Sequence, residues 1–258
     1  FEGLLGTIDA FREDVQNVKM HSEQIKVAKN LNFLLKNSQI NDSLRDPAKV
    51  QDMYSLRCIP QVHGATRQSL LNVNEIIENE INSVSDNPIV LPYSNEIVSA
   101  GHFHAEIIAQ ALDTAAIAVS SLANISERRI YSLIDGDFGL PPFLIDNAGV
   151  NSGYMMLQVT AASLVSENKT LSHPASVDSI PTGAGQEDHV SMAPWSGRKL
   201  LKIIENTERV IAIELLLSVQ ALYFRESYKP AKNLIKLNDF LMKNIKKIKN
   251  DKYFNDEL

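Results

Sequence analysis

The 258-residue chain can form one large domain or two small ones, and its 44% hydrophobic and 22% charged residues are typical of a globular protein. A formal net charge of −6, with no basic stripe before the C-terminal lysines, argues against nucleic acid as the main partner. The single cysteine, Cys58, excludes an internal disulfide and a thiolate-rich metal site. Without a visible signal peptide or an uncharged run suited to a membrane, the sequence predicts a soluble, cytoplasmic protein.

Residues 1–45 have the pattern of one or two helices. Asp46-Pro47 is typical of a further helix start, because an acidic cap precedes a proline at the first helical position. Pro60 fits poorly inside a continuous helix. The sequence therefore predicts only one or two helical turns between the two prolines.

A polar face is predicted on that short segment. Because residues three apart are neighbours on a helix surface, Gln51, Tyr54 and Arg57 would present an amide, a phenol and a guanidinium together. Arg57 could bind a carboxylate through two parallel hydrogen bonds. The alternative is a buried Arg57 that pairs with an Asp or Glu of the core, and spacing alone favours this second interpretation.

Apolar periodicity predicts long helices after Pro60, at about 61–84, 102–133, 153–169 and from Val190 or Pro194 to Ser227, with loops at 86–100 and 174–185. The second of these helices is apolar nearly all round, so we expect it to be buried. A helix of about 30 residues is about 45 Å long, close to the diameter of a globule of this size. The flanks near its ends would then need cover from another subunit, so we expect a mainly α protein that oligomerises.

A histidine-rich stretch, His102-Phe103-His104-Ala105-Glu106, contains the His-x-Glu pattern of zinc deaminases. The Cys-x-x-Cys partner of that pattern is missing, and two histidines two residues apart do not share a helix face. We therefore predict no metal site.

Gln186-Glu187-Asp188-His189 stands between a glycine-rich loop and a predicted long helix. One interpretation is a helix start, with Glu187 and Asp188 in the first turn, where the helix dipole favours acidic side chains. The other is a carboxylate presented at a loop mouth, able to accept a hydrogen bond from a cationic or N–H-bearing group of a substrate. The pattern alone favours the helix start.

Several motifs occur together in a fixed order: Gln51-Asp-Met-Tyr-Ser-Leu-Arg57, Ser85-Asp-Asn-Pro88, Gly101-x-Phe-His-Ala-Glu106, Glu127-Arg-Arg129, Asn151-Ser-Gly153, Val165-Ser-Glu-Asn-Lys169, His173-Pro-Ala-Ser-Val-Asp-Ser-Ile-Pro181 and Gln186-Glu-Asp-His-Val-Ser-Met192. In combination they closely resemble the C-terminal half of the histidine ammonia-lyases, within the aromatic amino acid lyase family. The resemblance runs from about Glu2 to the lysine-rich tail. It implies a bundle of long, near-parallel buried helices with loop segments at the ends, and we expect one helical domain over residues 1–258.

The resemblance also implies a reaction, the elimination of ammonia from L-histidine to give urocanate. The electrophile of this family is a methylidene-imidazolone (MIO) group made from an Ala-Ser-Gly tripeptide, which is absent from this sequence. We therefore expect a fragment that is inactive alone, whose MIO group would come from the missing N-terminal part. The family further implies a homotetramer in which each active site draws residues from three subunits.

Site residues follow from the matched motifs. Arg57 corresponds to the residue that pairs with the substrate carboxylate, and Tyr54 and Gln51 correspond to positions beside the prosthetic group. Phe103 matches an aromatic position of the site. Glu187 matches the carboxylate that faces the substrate side chain, where it suits an imidazole N–H better than a bare phenyl ring. Tyr54 and Glu187 are the predicted catalytic residues.

Two alternatives stay open at this stage. One is a tyrosine or phenylalanine ammonia-lyase or aminomutase, and the other is a non-catalytic helical assembly module. The phenylalanine lyases typically have Gln-Asp where this sequence has Gln186-Glu187, which favours histidine. The sequence departs from the family at Gly185, which replaces the usual Asn, and at His21-Ser-Glu-Gln24, where His-x-Gly-Gln is common.

Overall fold

The computed structural model describes residues 1–44 and 48–254, and within them the chain is mainly α-helical, as predicted. The helix start predicted at Asp46-Pro47 lies outside the described residues. The α-helices are α1 (Glu13–Asn17), α2 (Ser22–Leu35), α3 (Gln39–Leu44), α4 (Tyr54–Arg57), α5 (Ile59–Ile81), α6 (Glu106–Ile134), α7 (Met155–Leu171), α8 (Ala193–Tyr223) and α9 (Ile235–Asn244). Short 3-10 turns occur at Ile8–Phe11, Pro142–Leu144, Gly183–Gly185 and Lys232–Leu234.

The segment at 86–100, predicted as a loop, contains a β-hairpin instead. Strands β1 (Ile89–Leu91) and β2 (Glu96–Val98) pair antiparallel, with Ile89 opposite Val98. The turn between them ends at Asn95, which takes a φ of 56°. Both strands are short and largely exposed, so they lack the buried alternation by which a strand is recognised in a sequence.

The chain divides into two compact units. The first comprises Phe1–Thr66, Ser121–Ser166 and the segment from Asn206 onward. Its core is built by the C-terminal parts of α6 and α8, by α7 and by shorter segments, and it includes Leu56 of α4. The largest of its fully buried apolar side chains are Leu4, Leu56, Ile130, Leu144, Ile145, Tyr154, Ile213 and Leu217.

The second unit comprises Arg67–Ser120 and Glu167–Glu205. A small apolar cluster of Val73, Ala111 and Ala115 lies within it, with Leu200 packed against the cluster. The unit therefore contains the N-terminal parts of α6 and α8, and also the polar loop between α7 and α8. We keep the single helical domain over 1–258 as a proposal.

Helix α6 is apolar along most of its length, and by length and composition it could cross a membrane. The core helix of a soluble protein passes the same test, and Ala123 and Ile130 of α6 belong to the core of the first unit. The expectation of burial fails at Ile107 and Ile117, which are 53% and 50% exposed. These side chains leave apolar surface open on the helix.

Candidate active site

The Gln51–Arg57 segment is fixed to the first unit by its inward-facing residues. Ser55 and Leu56 are buried, and the Asp52 carboxylate accepts hydrogen bonds from the backbone N–H and the hydroxyl of Thr7, at 2.6 and 2.8 Å. The Lys49 ammonium pairs with the same carboxylate at 2.5 Å. Helix α4 starts only at Tyr54, since the Met53 carbonyl accepts from the N–H groups of the residues three and four positions on.

The outward-facing side chains of this segment are Tyr54 and Arg57. The Arg57 guanidinium lies over the Tyr54 ring, with Cζ 4.6 Å from the ring centroid, and Nε donates to the Asp52 backbone oxygen at 2.8 Å. These contacts leave the two terminal nitrogens of Arg57 without a hydrogen-bond partner among residues 1–44 and 48–254. Tyr54 is 71% exposed.

The predicted polar face is therefore present only in part. Tyr54 and Arg57 do lie together at helical spacing, whereas the exposed Gln51 precedes the helix and cannot share its face. The alternative of a buried Arg57 in an ion pair is wrong within the described part of the chain, where the residue is half-buried and no acidic side chain forms a salt bridge with it.

A buried ion pair supports helix α4. Arg129 donates through Nη2 to Glu214 at 2.8 Å and through Nη1 to the Ser55 carbonyl oxygen at 3.3 Å. Burial alone would raise the pKa of Glu214, but the hydrogen bond and positive charge of Arg129, with a further hydrogen bond from Ser126, hold that pKa below its ordinary value. Glu214 therefore stays ionised at neutral pH, and Arg129 links it to the backbone of α4.

His63 of α5 lies near the same pair. Burial and, to a lesser degree, the positive charge of Arg129 together lower the pKa of His63 to about 4, with Glu214 opposing the shift. Its Nε2 atom is buried without a hydrogen-bond partner among the described residues. The imidazole is therefore neutral at pH 7.

Glu187 lies in the second unit, in the loop that precedes α8. The backbone of Thr182 and that of Glu187 form an antiparallel bridge, in which the Thr182 N–H donates to the Glu187 carbonyl oxygen at 2.9 Å. The turn inside this bridge contains three successive left-handed residues, Gly183, Ala184 and Gly185, with φ of 57°, 56° and 86°. Glycine adopts this conformation without the steric strain that other residues meet, so only Ala184 carries a conformational cost in this turn.

The helix-start interpretation of Glu187 and Asp188 is wrong. Helix α8 begins at Ala193, and Met192 just before it has a left-handed φ of 60°, which no helix can continue through. The carboxylate of Glu187 is exposed and accepts a hydrogen bond from the Thr182 hydroxyl at 2.6 Å. The structure thus agrees with the other interpretation, a carboxylate presented by a loop.

The motif of Phe103 meets the motif of Glu187 within this unit. The His104 Nε2–H donates to the backbone oxygen of His189 at 3.0 Å, and the two imidazole rings lie 5.6 Å apart between centroids. Phe103, next in the chain to His104, is 59% exposed. An exposed aromatic ring and an exposed carboxylate are therefore carried by two segments that are joined by a hydrogen bond.

The base of the same loop is held by a buried charge pair. The Lys199 ammonium donates to the His173 carbonyl oxygen and lies 3.7 Å from the Asp113 carboxylate, which also accepts from the Ser176 N–H at 2.8 Å. Burial raises the pKa of Asp113, but the Ser176 and Ala175 hydrogen bonds and Lys199 outweigh it, so the pKa lies below its ordinary value. Within the described residues, no group of three or more His, Cys, Asp and Glu side chains is arranged to hold a metal.

Sequence reasoning missed the supporting residues Thr182, His104, Arg129 and Glu214. His104 follows Phe103 within a motif, and Thr182 stands between the motif that ends at Pro181 and the one that begins at Gln186, so nearness to a predicted site residue was a usable signal. Glu214 and Arg129 are 85 residues apart, and nothing in the spacing reveals that pairing.

Comparison with known proteins shows the family of this chain. The sequence model described as aromatic amino acid lyase matches residues 1–243. The chain belongs to the aromatic amino acid lyase family. Its resemblance to the histidine ammonia-lyases is also confirmed by the relatives that match it.

Three of these relatives show how far the likeness extends. A histidine ammonia-lyase of Natranaerobius thermophilus is 50% identical over 227 residues, which cover 87% of this chain and 45% of that protein. The crystal structure of histidine ammonia-lyase from Trypanosoma cruzi has 41% identity and a TM-score of 0.89, and the match covers 99% of this chain and 48% of that one. The phenylalanine aminomutase of Pantoea agglomerans has 30% identity and a TM-score of 0.92, with 99% and 54% covered. The chain spans about half the length of the curated relatives it matches.

Proposed function

We propose that this chain is part of an ammonia-lyase that eliminates ammonia from L-histidine to give urocanate. The observation that carries the proposal is the exposed Glu187 carboxylate, which the loop presents without a cationic partner among the described residues. An anion held in this way suits a ligand group that brings an N–H donor, and the imidazole of histidine is such a group. Relatives named histidine ammonia-lyase at 50% identity support the same substrate.

Arg57 would bind the substrate carboxylate in this proposal. Its Nε is already held by the Asp52 backbone oxygen and its plane rests on the Tyr54 ring, so the side chain is oriented before any ligand arrives. The two terminal nitrogens then remain for a bidentate contact with the carboxylate. Less side-chain entropy is lost on binding because the orientation already exists.

The two residues proposed to lie beside the MIO group, Tyr54 and Gln51, have side chains that suit it chemically. The Tyr54 hydroxyl and the Gln51 amide are exposed hydrogen-bonding groups, and neither has a hydrogen-bond partner among the described residues, so both suit a polar ring with carbonyl oxygens. The group would supply the electrophile that withdraws electrons from the substrate and so eases loss of ammonia. We propose that it comes from a segment outside these 258 residues, since no Ala-Ser-Gly occurs in them. Tyr54 and Gln51 would orient it and the substrate by hydrogen bonds.

We also propose that the protein is a homotetramer of the cytoplasm. The family resemblance implies a homotetramer with shared active sites, and the exposed apolar side chains Ile107 and Ile117 of α6 are surfaces that a further subunit could cover. The same resemblance favours a soluble protein of the cytoplasm. Neither proposal requires a membrane or a nucleic acid.

A second candidate is an aminomutase or an ammonia-lyase acting on phenylalanine or tyrosine. The likeness in fold to the Pantoea agglomerans phenylalanine aminomutase favours it, with a TM-score of 0.92. Glu187 disfavours it, because a phenyl ring would leave a desolvated carboxylate unpaired, at a cost of about 1–3 kcal/mol or more.

One assay separates the two candidates. The complete protein is incubated with L-histidine, L-tyrosine or L-phenylalanine, and each unsaturated product is followed by its ultraviolet absorbance. We expect urocanate from histidine and at most slow turnover of the other two. Efficient release of cinnamate or coumarate, or of the β-amino acid isomer detected by chromatography, with none of urocanate, would overturn the proposal.

A further inference from the structure

The Glu187 carboxylate is held by its own loop in a specific orientation. The Thr182 hydroxyl donates to Oε2 at 2.6 Å, while Oε1 has no hydrogen-bond partner among the described residues. Thr182 itself is fixed, because its backbone forms the bridge to Glu187 in an extended conformation, with φ of −133° and ψ of −178°. One carboxylate oxygen is thus committed to the protein and the other is available.

Space for the carboxylate is made by the absence of a side chain at Gly183. A Cβ atom added there would lie 2.5 Å from Oε2 of Glu187 and 2.8 Å from its carboxyl carbon. Real Cβ atoms essentially never show contacts below 3.0 Å, so the Glu187 carboxylate would have to shift from this position. The neighbouring Gly185 differs, since a Cβ added there meets no atom of the described residues within 4 Å.

We propose that Thr182 and Gly183 form a seat for the Glu187 carboxylate and that Thr182 is a positioning residue that determines specificity for a substrate with an N–H-bearing side chain. The inference rests on the proposed role of Glu187. It adds that recognition depends on where the carboxylate is held as well as on its charge. A free glutamate side chain has three rotatable bonds, and ordering it upon binding costs about 1 kcal/mol or more, which the seat removes in advance.

The chemistry assigns a separate task to each carboxylate oxygen. Oε2 accepts from the Thr182 hydroxyl, which restricts the orientation of the carboxylate. Oε1 then accepts from the ligand. Because hydrogen bonds to a charged acceptor are strong and directional, a small rotation of the carboxylate weakens the bond to the ligand.

The test uses the complete enzyme and L-histidine, with Thr182→Val and Thr182→Ser. Valine keeps the β-branched shape that suits the extended backbone but removes the hydroxyl, so we expect kcat/KM to fall about tenfold, the value of one hydrogen bond to a charged group. Serine keeps the hydroxyl, so Thr182→Ser should recover most of the activity. The thermal midpoints should stay equal, because the bond is exposed.

A pair of glycine variants supplies a matched control. Gly183→Ala and Gly185→Ala both place a side chain at a left-handed position, with φ of 57° and 86°, so both carry a similar backbone cost. Only Gly183→Ala displaces the carboxylate. We expect its kcat/KM to fall to the level of Glu187→Gln, and that of Gly185→Ala to stay within about threefold of the parent once any loss of folded protein is corrected.

A double variant separates this inference from the proposed function. If Thr182 acts through Glu187, then Thr182→Val costs about tenfold in the parent and almost nothing in the Glu187→Gln background. An unchanged Glu187→Gln enzyme would overturn the role of Glu187. A strongly impaired Glu187→Gln enzyme combined with a fully active Thr182→Val enzyme, or with a Thr182→Val cost that persists in the double variant, would overturn the seat alone.

Discussion

The Gln51–Arg57 segment and the Thr182–His189 loop hold their functional side chains in different ways. Arg57 stands on a helical turn whose inner face is buried, with Leu56 in a large core and Asp52 bonded to Thr7 and Lys49. Glu187 stands on an exposed loop whose contacts are mostly its own backbone and the Thr182 hydroxyl. Substitutions in the Gln51–Arg57 segment should therefore lower the free energy of unfolding, whereas those in the Thr182–His189 loop should have little effect on folding.

This difference fits the two tasks proposed for Arg57 and Glu187 in substrate recognition. The carboxylate of an amino acid substrate is the same for every member of the family, so a residue that binds it can rest on a rigid core. The substrate side chain varies, and a carboxylate on a local loop can be exchanged without disturbing a core. We expect substitutions near Arg57 to affect all substrates together, and those near Glu187 to change the preference among them.

The largest effect is expected for Arg57→Ala in the complete enzyme. Loss of two charge-assisted hydrogen bonds should lower kcat/KM about 100-fold or more, which corresponds to about 3 kcal/mol. Arg57→Lys keeps the charge but loses the planar guanidinium, so its kcat/KM should lie between those of Arg57→Ala and the parent. Steady-state kinetics on every accepted substrate test this, and equal activity of Arg57→Ala and the parent would refute the assignment.

A second comparison concerns stability at the two elements. Asp52→Ala removes a buried acceptor from Thr7 and Lys49 and should lower the free energy of unfolding by about 2–3 kcal/mol. Asp188→Ala, in the exposed loop, is the matched control and should leave stability within error. Thermal unfolding of the two variants beside the parent measures this. A destabilised Asp188→Ala with an unaffected Asp52→Ala would reverse the comparison.

Protonation of His63 should make the stability of the folded protein depend on pH. The pKa of His63 is about 4 in the folded protein, against an ordinary value of 6.5 in an unfolded chain, so the unfolded chain takes up a proton first as the pH falls. The stability from neutral His63 is complete above pH 6.5 and is lost as the pH falls towards 4. At pH 5 the loss should be about 2 kcal/mol.

His63→Leu tests this prediction, since leucine fills a similar volume and does not titrate. The difference in thermal midpoint between pH 7.5 and pH 5 should shrink in the variant, provided that Glu214 and Arg129 remain paired. An unchanged pH dependence would show that other groups carry the acid sensitivity.

Much of the fold follows from the sequence, because long apolar repeats leave few alternatives. Helices α5, α6, α7 and α8 all lie close to the predicted segments. The hairpin at Ile89–Val98 was missed because its strands are short and exposed. The sequence predicts Gln51 on a helix because Asp46-Pro47 is a typical helix start, whereas helix α4 begins only after Met53.

The site was predictable only through family motifs. Spacing favoured a buried Arg57 and a helix start at Glu187, and the structure has neither within its described residues. What spacing cannot show is the partner of a charged group, which depends on residues distant in the chain, as with Arg129 and Glu214. Local loop conformation is equally hidden, since the left-handed residues Gly183 to Gly185 are needed to bring Thr182 back to Glu187.

The central claim is that Glu187 recognises the imidazole of the substrate. It is tested most directly by the ratio of kcat/KM for L-histidine to that for L-phenylalanine in the complete enzyme, measured for the parent and for Glu187→Gln. The account predicts that the ratio falls about 30-fold, because the value for histidine drops and that for phenylalanine rises once the unpaired charge is gone, while the thermal midpoint stays unchanged. A Glu187→Gln enzyme with the ratio of the parent would contradict it.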